Sequence, residues 1–327
     1  MPTASTTSPP QAPAIPAALD GRRRTFLEAC EIDRNLSPLT IRQYDLYLDH
    51  LLSWLSQRFP QVEDLTDLDP EIVRAYKLTL ARHLNARTGR PLARATQTYF
   101  LIALRSLLRY WALQGLAVMA PDRVELGKAQ SRSLKFLDPS EMQRLLAAPD
   151  LTEDRGLRDR ALLETFFSTG LRVSELARLD RDDINLRTRE FSVVGKGRKS
   201  RIVFLTEAAA TWLERYLSAR SDRWKPLFTR TRGERDPNPD GLRMRMSPRS
   251  IERAVEKYVK LAGLPVAATP HTLRHSFATD LLSNGADLRA VQEMLGHANL
   301  NTTQIYTHVT NPQLRAVHRK FHSGNRD

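Results

Sequence analysis

Apolar residues recur at helical spacing through most of the chain and at strand spacing in one short stretch. Ser37-Pro38 is suited to opening a helix, and behind it Ile41, Tyr44, Leu48, Leu51, Leu52 and Leu55 fall on one face. Asp69-Pro70 opens a second helix with Ile72, Val73, Tyr76 and Leu80 inward. A third begins near Ala95 and carries Phe100, Leu104, Leu107, Leu108 and Trp111. Residues 21–120 are therefore predicted to form a helical domain. Arg42, Lys77, Arg94, Arg105 and Arg109 lie off the stripes. Singly each reads as a solvated surface charge; together they can form a face for phosphates.

Residues 1–20 are rich in Pro, Ala, Ser and Thr without a positive side chain, which predicts a disordered leader. The apolar periodicity fades after Gly115, and residues 121–135 are expected to be a linker, with a second domain over 136–327. Asp138-Pro139-Ser140-Glu141 caps a helix through Leu145 and Leu146. Asp159 to Phe167 reads as a buried helix that Ser168-Thr169-Gly170 breaks, and LRVSELARLD begins another, placing Arg172 near a helix N-terminus. Glu190 to Val194 and Arg201 to Leu205 flank GKGRKS as a β-hairpin with Lys196 at its mouth. Leu227-Phe228-Thr229 is a candidate third strand. TRGERDPNPDGLRMRM reads as a loop, and Ser247-Pro248 caps the helix after it. The fold class expected is mainly α with a small antiparallel β-sheet.

The charge sharpens this picture. Over 327 residues the formal net charge is +13, spread along the chain and not collected in a tail. Such an excess favours polyanionic partners, nucleic acid above all, and an extended groove over a tethering arm. No apolar run approaches the roughly 20 residues that span a bilayer, and the N-terminus lacks the regions of a signal peptide. Cys30 is the one cysteine, so no intrachain disulfide is available and a reducing cytoplasm fits.

The chemistry concentrates between Pro270 and His308. Phe277, Leu281 and Leu282 give a helix its apolar stripe, Thr269 or Thr272 can cap it, and Asn284-Gly285 ends it. Asp287 starts a second helix with Val291, Met294 and Leu295 inward, Gly296 stops that one, and a short third helix follows. His271, Arg274, His297 and Tyr306 sit beside helix ends or turns, where side chains of separate elements can converge. Two imidazoles, a guanidinium and a phenol suit an anionic oxygen substrate. None is a carboxylate, so a divalent metal is not the obvious partner. His271 and His275 do stand at metal-ligand spacing, but no acidic or thiol residue is close by and HTLRH lacks the metalloprotease Glu. No cofactor is expected.

Taken with Arg172 and Lys196, these residues fit phosphodiester transfer. Guanidinium forks match the two charged non-bridging oxygens of a pentavalent phosphorus, and such charge stabilisation is usually the largest catalytic effect. A tyrosine with its ordinary pKa of about 10 needs nearby cations or a base, and an imidazole serves either need. A lysine on a mobile hairpin can protonate the leaving alkoxide. The competing view makes Lys196 one more phosphate-contacting cation beside Arg198, Lys199 and Arg201. A phosphotyrosine link would keep the ester's energy, so strands could rejoin without ATP or metal.

TGLRVSEL, VVGKGRKSRIVFL, HTLRHSFATDLLSNGADLRAVQEMLGH and TTQIYTHV together resemble the tyrosine recombinase (phage integrase) family, in its Xer-like branch. Six positions agree in order: Arg172, Lys196, His271, Arg274, His297 and Tyr306. The likeness runs from about Arg22 to His322, because SPLTIRQYDLYLDHLLSWL is similar to the family's helical core-binding domain. The resemblance implies a SAM-like core-binding domain and a mixed α/β catalytic domain that form a C-shaped clamp on double-stranded DNA. It implies that Tyr306 attacks the scissile phosphate to give a 3′-phosphotyrosyl link and a free 5′-hydroxyl. Arg172 and Arg274 would hold the non-bridging oxygens, His271 and His297 would assist, Lys196 would protonate the leaving oxygen, and Glu175 would orient its neighbours. The tail LRAVHRKFH is similar to the family's final helix, which docks on a neighbouring subunit in a tetramer.

Asp280 stands where relatives often carry His and Ser200 where they often carry Glu, and the loop from Arg232 to Met246 is longer than in compact relatives. No folded arm-binding domain is expected ahead of the core-binding helices. The resemblance implies a site-specific recombinase acting at a specific core site as a homo- or hetero-tetramer, with or without a second recombinase. It leaves open chromosome dimer resolution, plasmid maintenance or integration of a mobile element. The rivals are a type IB topoisomerase-like activity and a non-catalytic DNA-binding protein of the same fold.

Overall fold

A computed structural model describes residues 14–85, 88–127, 135–195, 200–265 and 268–296. The chain divides into two compact units, Met1–Ser131 and Arg132–Asp327.

Among the described residues, four α-helices build the first unit: α1 (Ala17–Ile32), α2 (Pro38–Arg58), α3 (Pro70–Arg82) and α4 (Arg94–Leu113). Their starts are locally encoded. Ser37 Oγ accepts from the Thr40 amide at 3.2 Å, Asp69 Oδ1 from the Ile72 amide at 2.8 Å, and a proline occupies the first turn in both. Leu48, Leu52, Leu55, Tyr76, Leu80, Leu104 and Leu108 form the core with Phe26, as the apolar spacing predicts. Two boundaries differ from the sequence-based expectation. α1 begins at Ala17, inside the expected leader, because Leu19 is 1% exposed and anchors its first turn in that core. Val124, at the head of the expected linker, is also buried there. Of the five cations off the stripes, Arg42, Arg94 and Arg109 are exposed. Arg105 pairs with Asp122, and Arg109 lies 3.9 Å from the same carboxylate.

Among its described residues the second unit has α5 (Pro139–Ala147), α6 (Asp154–Thr169), α7 (Val173–Arg178), β1 (Glu190–Val194), β2 (Ser200–Phe204), α8 (Glu207–Ala219), α9 (Pro248–Leu261), α10 (Pro270–Ser283) and α11 (Leu288–Leu295). α6 is its axle and packs against α8 and α10. It starts earlier than expected, at Asp154 and not Asp159, because its polar first turns are also covered. Arg158 Nε donates to Asp159 Oδ1 at 2.8 Å, and Asp159 Oδ2 accepts from the Tyr258 hydroxyl at 2.9 Å. The sheet has two antiparallel strands, with Val193 opposite Arg201 and Phe191 opposite Val203.

The candidate strand Leu227 to Thr229 does not join that sheet. It is buried, but it makes only isolated bridges, Asp180 with Pro226 and Thr229 with Arg245. Among the described residues the architecture is thus mostly helical with one small antiparallel hairpin.

Candidate functional site

Gly170 ends α6 in the left-handed conformation (φ 58°), where an L side chain is disfavoured. The turn places Arg172 as the N-cap of α7. The Arg172 amide donates to Glu175 Oε2 at 2.9 Å and its Nη1 to Oε1 at 2.8 Å, so one carboxylate both caps the helix and aims the guanidinium. Nη2 reaches the Gly296 carbonyl oxygen at 3.3 Å.

α10 is started by Thr269 and Thr272, each side-chain oxygen accepting from the other's amide at 3.3 and 3.1 Å, with Pro270 in the first turn. This start sets the phase of the helix. His271 is exposed on it, whereas Arg274 turns inward and is 4% exposed. Arg274 Nη1 donates to the Gly170 carbonyl oxygen at 2.5 Å and Nη2 to that of Leu295 at 2.6 Å. Asp287 caps α11 by accepting from the Arg289 and Ala290 amides, and Gly296 ends it at φ 64°. Phe277, Leu281 and Leu282 of α10 pack on Ala278, Val291 and Leu295, which holds the end of α11 against both arginines.

Two guanidinium groups from different helices therefore reach consecutive carbonyl oxygens, Leu295 and Gly296, at one helix end. His271 belongs to the same α10 as Arg274. Lys196, His297 and Tyr306 fall outside the described residues. In sequence Lys196 lies in the connection between β1 and β2, and His297 directly follows Gly296.

Arg201 has a larger place here than its sequence context suggests. Its Nη1 and Nη2 fork onto Glu175 Oε1 and Oε2 at 3.1 and 2.7 Å, and its Nε donates to the Met294 carbonyl oxygen at 2.9 Å. Strand alternation carries the signal for this, since Arg201 has the parity of the buried Val203.

Burial alone would raise the Glu175 carboxyl. The Arg201 fork, the Arg172 amide and the Arg172 guanidinium outweigh it and hold the group at about 2. His275 is shifted down from 6.5 by burial and by the adjoining His271 and Arg274. Among the described residues no three His, Cys, Asp or Glu side chains gather as metal ligands, and no helix is long and apolar enough to cross a membrane.

Residues 135–312 match the phage integrase family, and residues 24–115 match the phage integrase N-terminal SAM-like domain. The chain is 37% identical over 311 residues to tyrosine recombinase XerC of Pelotomaculum thermopropionicum, covering 91% of this chain and 96% of that protein. It is 36% identical over 307 residues to tyrosine recombinase XerD of Pseudomonas aeruginosa, covering 91% and 95%. Among solved structures it resembles the XerH site-specific recombinase bound to palindromic difH substrate in a post-cleavage complex, with a TM-score of 0.64, 25% identity and coverage of 91% and 84%. The fold, at 16% identity, is also that of a lambda integrase dimer bound to a core site, with a TM-score of 0.66 and coverage of 88% and 76%. The chain belongs to the phage integrase family, as an Xer-type tyrosine recombinase.

Proposed function

We propose that the protein is a site-specific DNA recombinase that cuts and rejoins strands through a 3′-phosphotyrosyl intermediate, without metal or ATP. The observation that carries this reading is the convergence of Arg172 and Arg274 on one helix end, with Arg172 aimed by a buried carboxylate. Their N–H forks suit the non-bridging oxygens of a scissile phosphate, where charge grows as phosphorus becomes pentavalent. In this reading Tyr306 attacks phosphorus, the bond to the 5′-oxygen breaks, and Lys196 delivers the proton to that oxygen. His271 and His297 handle the phenol's proton and share in holding the phosphate. The freed 5′-hydroxyl of another strand then reverses the reaction and releases Tyr306.

Similarity to XerC and XerD along nine-tenths of the chain supports a simple recombinase that acts on DNA at a core site. The first compact unit, which contains α1 to α4, serves as the core-binding domain, and the second, which contains α5 to α11, as the catalytic domain. Four subunits, alike or of two kinds, assemble on two sites in the cytoplasm. Chromosome dimer resolution is the cellular role this reading favours.

The test uses the core site that the full-length protein selects from random DNA, presented on a nicked duplex that traps cleavage. A covalent complex whose DNA is attached through Tyr306 is expected, and Tyr306→Phe should abolish it while leaving binding intact. Relaxation of supercoiled DNA lacking the site, at the same rate as DNA carrying it, would favour the topoisomerase reading.

A further inference from the structure

Arg201 is the second residue of β2, and strand alternation decides where its side chain goes. Ile202 and Phe204 are exposed on one side of the hairpin, whereas Arg201 shares the other side with buried Val203, opposite Val193. A covered cation is costly unless its donors are met. Here Nε, Nη1 and Nη2 all find oxygen partners, on Glu175 and on the Met294 carbonyl, and the side chain is 10% exposed. Its charge is matched inside the protein by the Glu175 carboxylate.

The charges explain what this achieves. Glu175 receives both Arg172 and Arg201, so one carboxylate stands between two guanidinium groups and the cluster keeps one positive charge. Without Arg201, Glu175 and Arg172 would close into a neutral pair, and Arg172 would meet a phosphate with its charge already compensated. The same side chain joins three elements: the hairpin whose connection contains Lys196, the start of α7, and the end of α11 next to Gly296. The fit is close, because a Cβ on Gly296 would sit 3.0 Å from Arg201 Cδ.

We propose that Arg201 is a positioning residue of this site: it neutralises and holds Glu175 so that Arg172 keeps a free charge and a fixed direction, and it locks the hairpin to the end of α11. The proposal rests on the recombinase reading for what Arg172 does, but its central claim, that Arg201 faces Glu175 and not DNA, has its own readout.

The experiment measures covalent-complex formation and DNA affinity on the nicked duplex for wild type, Arg201→Met, Arg201→Lys, Glu175→Gln and the double variant R201M/E175Q. Arg201→Met should slow cleavage by about a hundredfold, the scale of losing one charge-stabilising donor. Its affinity should change by less than about threefold, with an unaltered salt slope. The double variant should cleave about tenfold faster than Arg201→Met alone, because removing the unbalanced carboxylate frees Arg172 again. Arg201→Lys keeps the charge without the fork and should fall between wild type and Arg201→Met. Effects of R201M and E175Q that simply multiply would overturn the proposal. So would an Arg201→Met slope shallower by about 0.9, the mark of one lost phosphate contact. Should Arg201→Met not fold, the pair Arg201→Lys and Glu175→Gln carries the same coupling test. Should wild type not cleave, the recombinase reading fails, while the salt slope of the Arg201 variants still decides whether Arg201 faces DNA.

Discussion

Arg274 Nη1 donates to the carbonyl oxygen of Gly170 at 2.5 Å, which ties the middle of α10 to the glycine that ends α6, two residues before Arg172. The relative placement of the two arginines thus depends on a backbone turn that only glycine makes without strain.

Gly170→Ala tests that dependence. The residue has φ 58°, and an added Cβ would lie 2.4 Å from Phe277 Cδ1. The left-handed conformation alone costs about 1–2 kcal/mol for an L residue, and the overlap with the ring adds to it. The unfolding midpoint of the second unit should fall by about 3–10 °C, measured by differential scanning calorimetry. Cleavage should fall more than the folded fraction does, because the Gly170 carbonyl shifts with the turn. Phe277→Leu in the same chain should recover part of the stability and leave the backbone strain.

Glu175 should give the stability of the second unit an acid limb. Its folded value of about 2 is below the ordinary 4.5, so the folded state releases this proton more readily than the unfolded chain. The contribution is complete above about pH 4.5. It is lost as pH falls from there through about 2. Glu175→Gln should therefore be less stable than wild type at pH 6, and the gap should narrow between pH 4.5 and 2.5. A gap that stays constant over that range would contradict the buried carboxylate described here.

His275 should add a second, milder pH dependence. Burial, with His271 and Arg274 beside it, lowers it from 6.5, so the unfolded chain binds its proton first as pH falls. Stability from this residue is full above about pH 6.5 and declines as pH drops below it. His275→Gln should flatten the stability profile between pH 7 and 5, followed by urea unfolding at each pH. An unchanged slope would mean that the imidazole titrates as it does in the unfolded chain.

Lys196 is expected to act in strand cleavage and not mainly in holding DNA. Lys196→Ala should slow covalent-complex formation severely on an ordinary duplex. A 5′-bridging phosphorothiolate leaves as a thiolate and needs no proton, so it should restore most of the rate. Equal slowing on both substrates, with affinity reduced in step, would make Lys196 a binding residue.

DNA binding should be dominated by phosphate contacts, given the net charge of +13. Affinity should fall steeply with salt, at a log–log slope of about −0.9 for each phosphate neutralised. A slope near zero in fluorescence anisotropy titrations would contradict an extended phosphate-binding surface.

Helix starts, glycine stops and the hairpin were legible in the chain itself. Ser37, Asp69, Asp138, Ser247, Thr269 and Asp287 cap the helices assigned to them, and Gly170 and Gly296 end theirs. These signals act within one turn, so a few residues contain the whole interaction. The family motifs were equally legible, because they are runs of adjacent residues. The tertiary structure alone decided where α1 and α6 begin. Leu19 is helical because the core of the first unit covers it, and Arg158 is buried because the Thr229 carbonyl, 71 positions away, accepts its Nη1 at 2.8 Å. It also decided that Leu227 to Thr229 bridges its neighbours without forming a strand. Arg201 is the clearest case. Among basic neighbours it reads as one more cation for DNA, and its partner Glu175 lies 26 positions upstream. A guanidinium takes its role from the acceptor it meets, and that acceptor is chosen by which helix end the fold brings back to it.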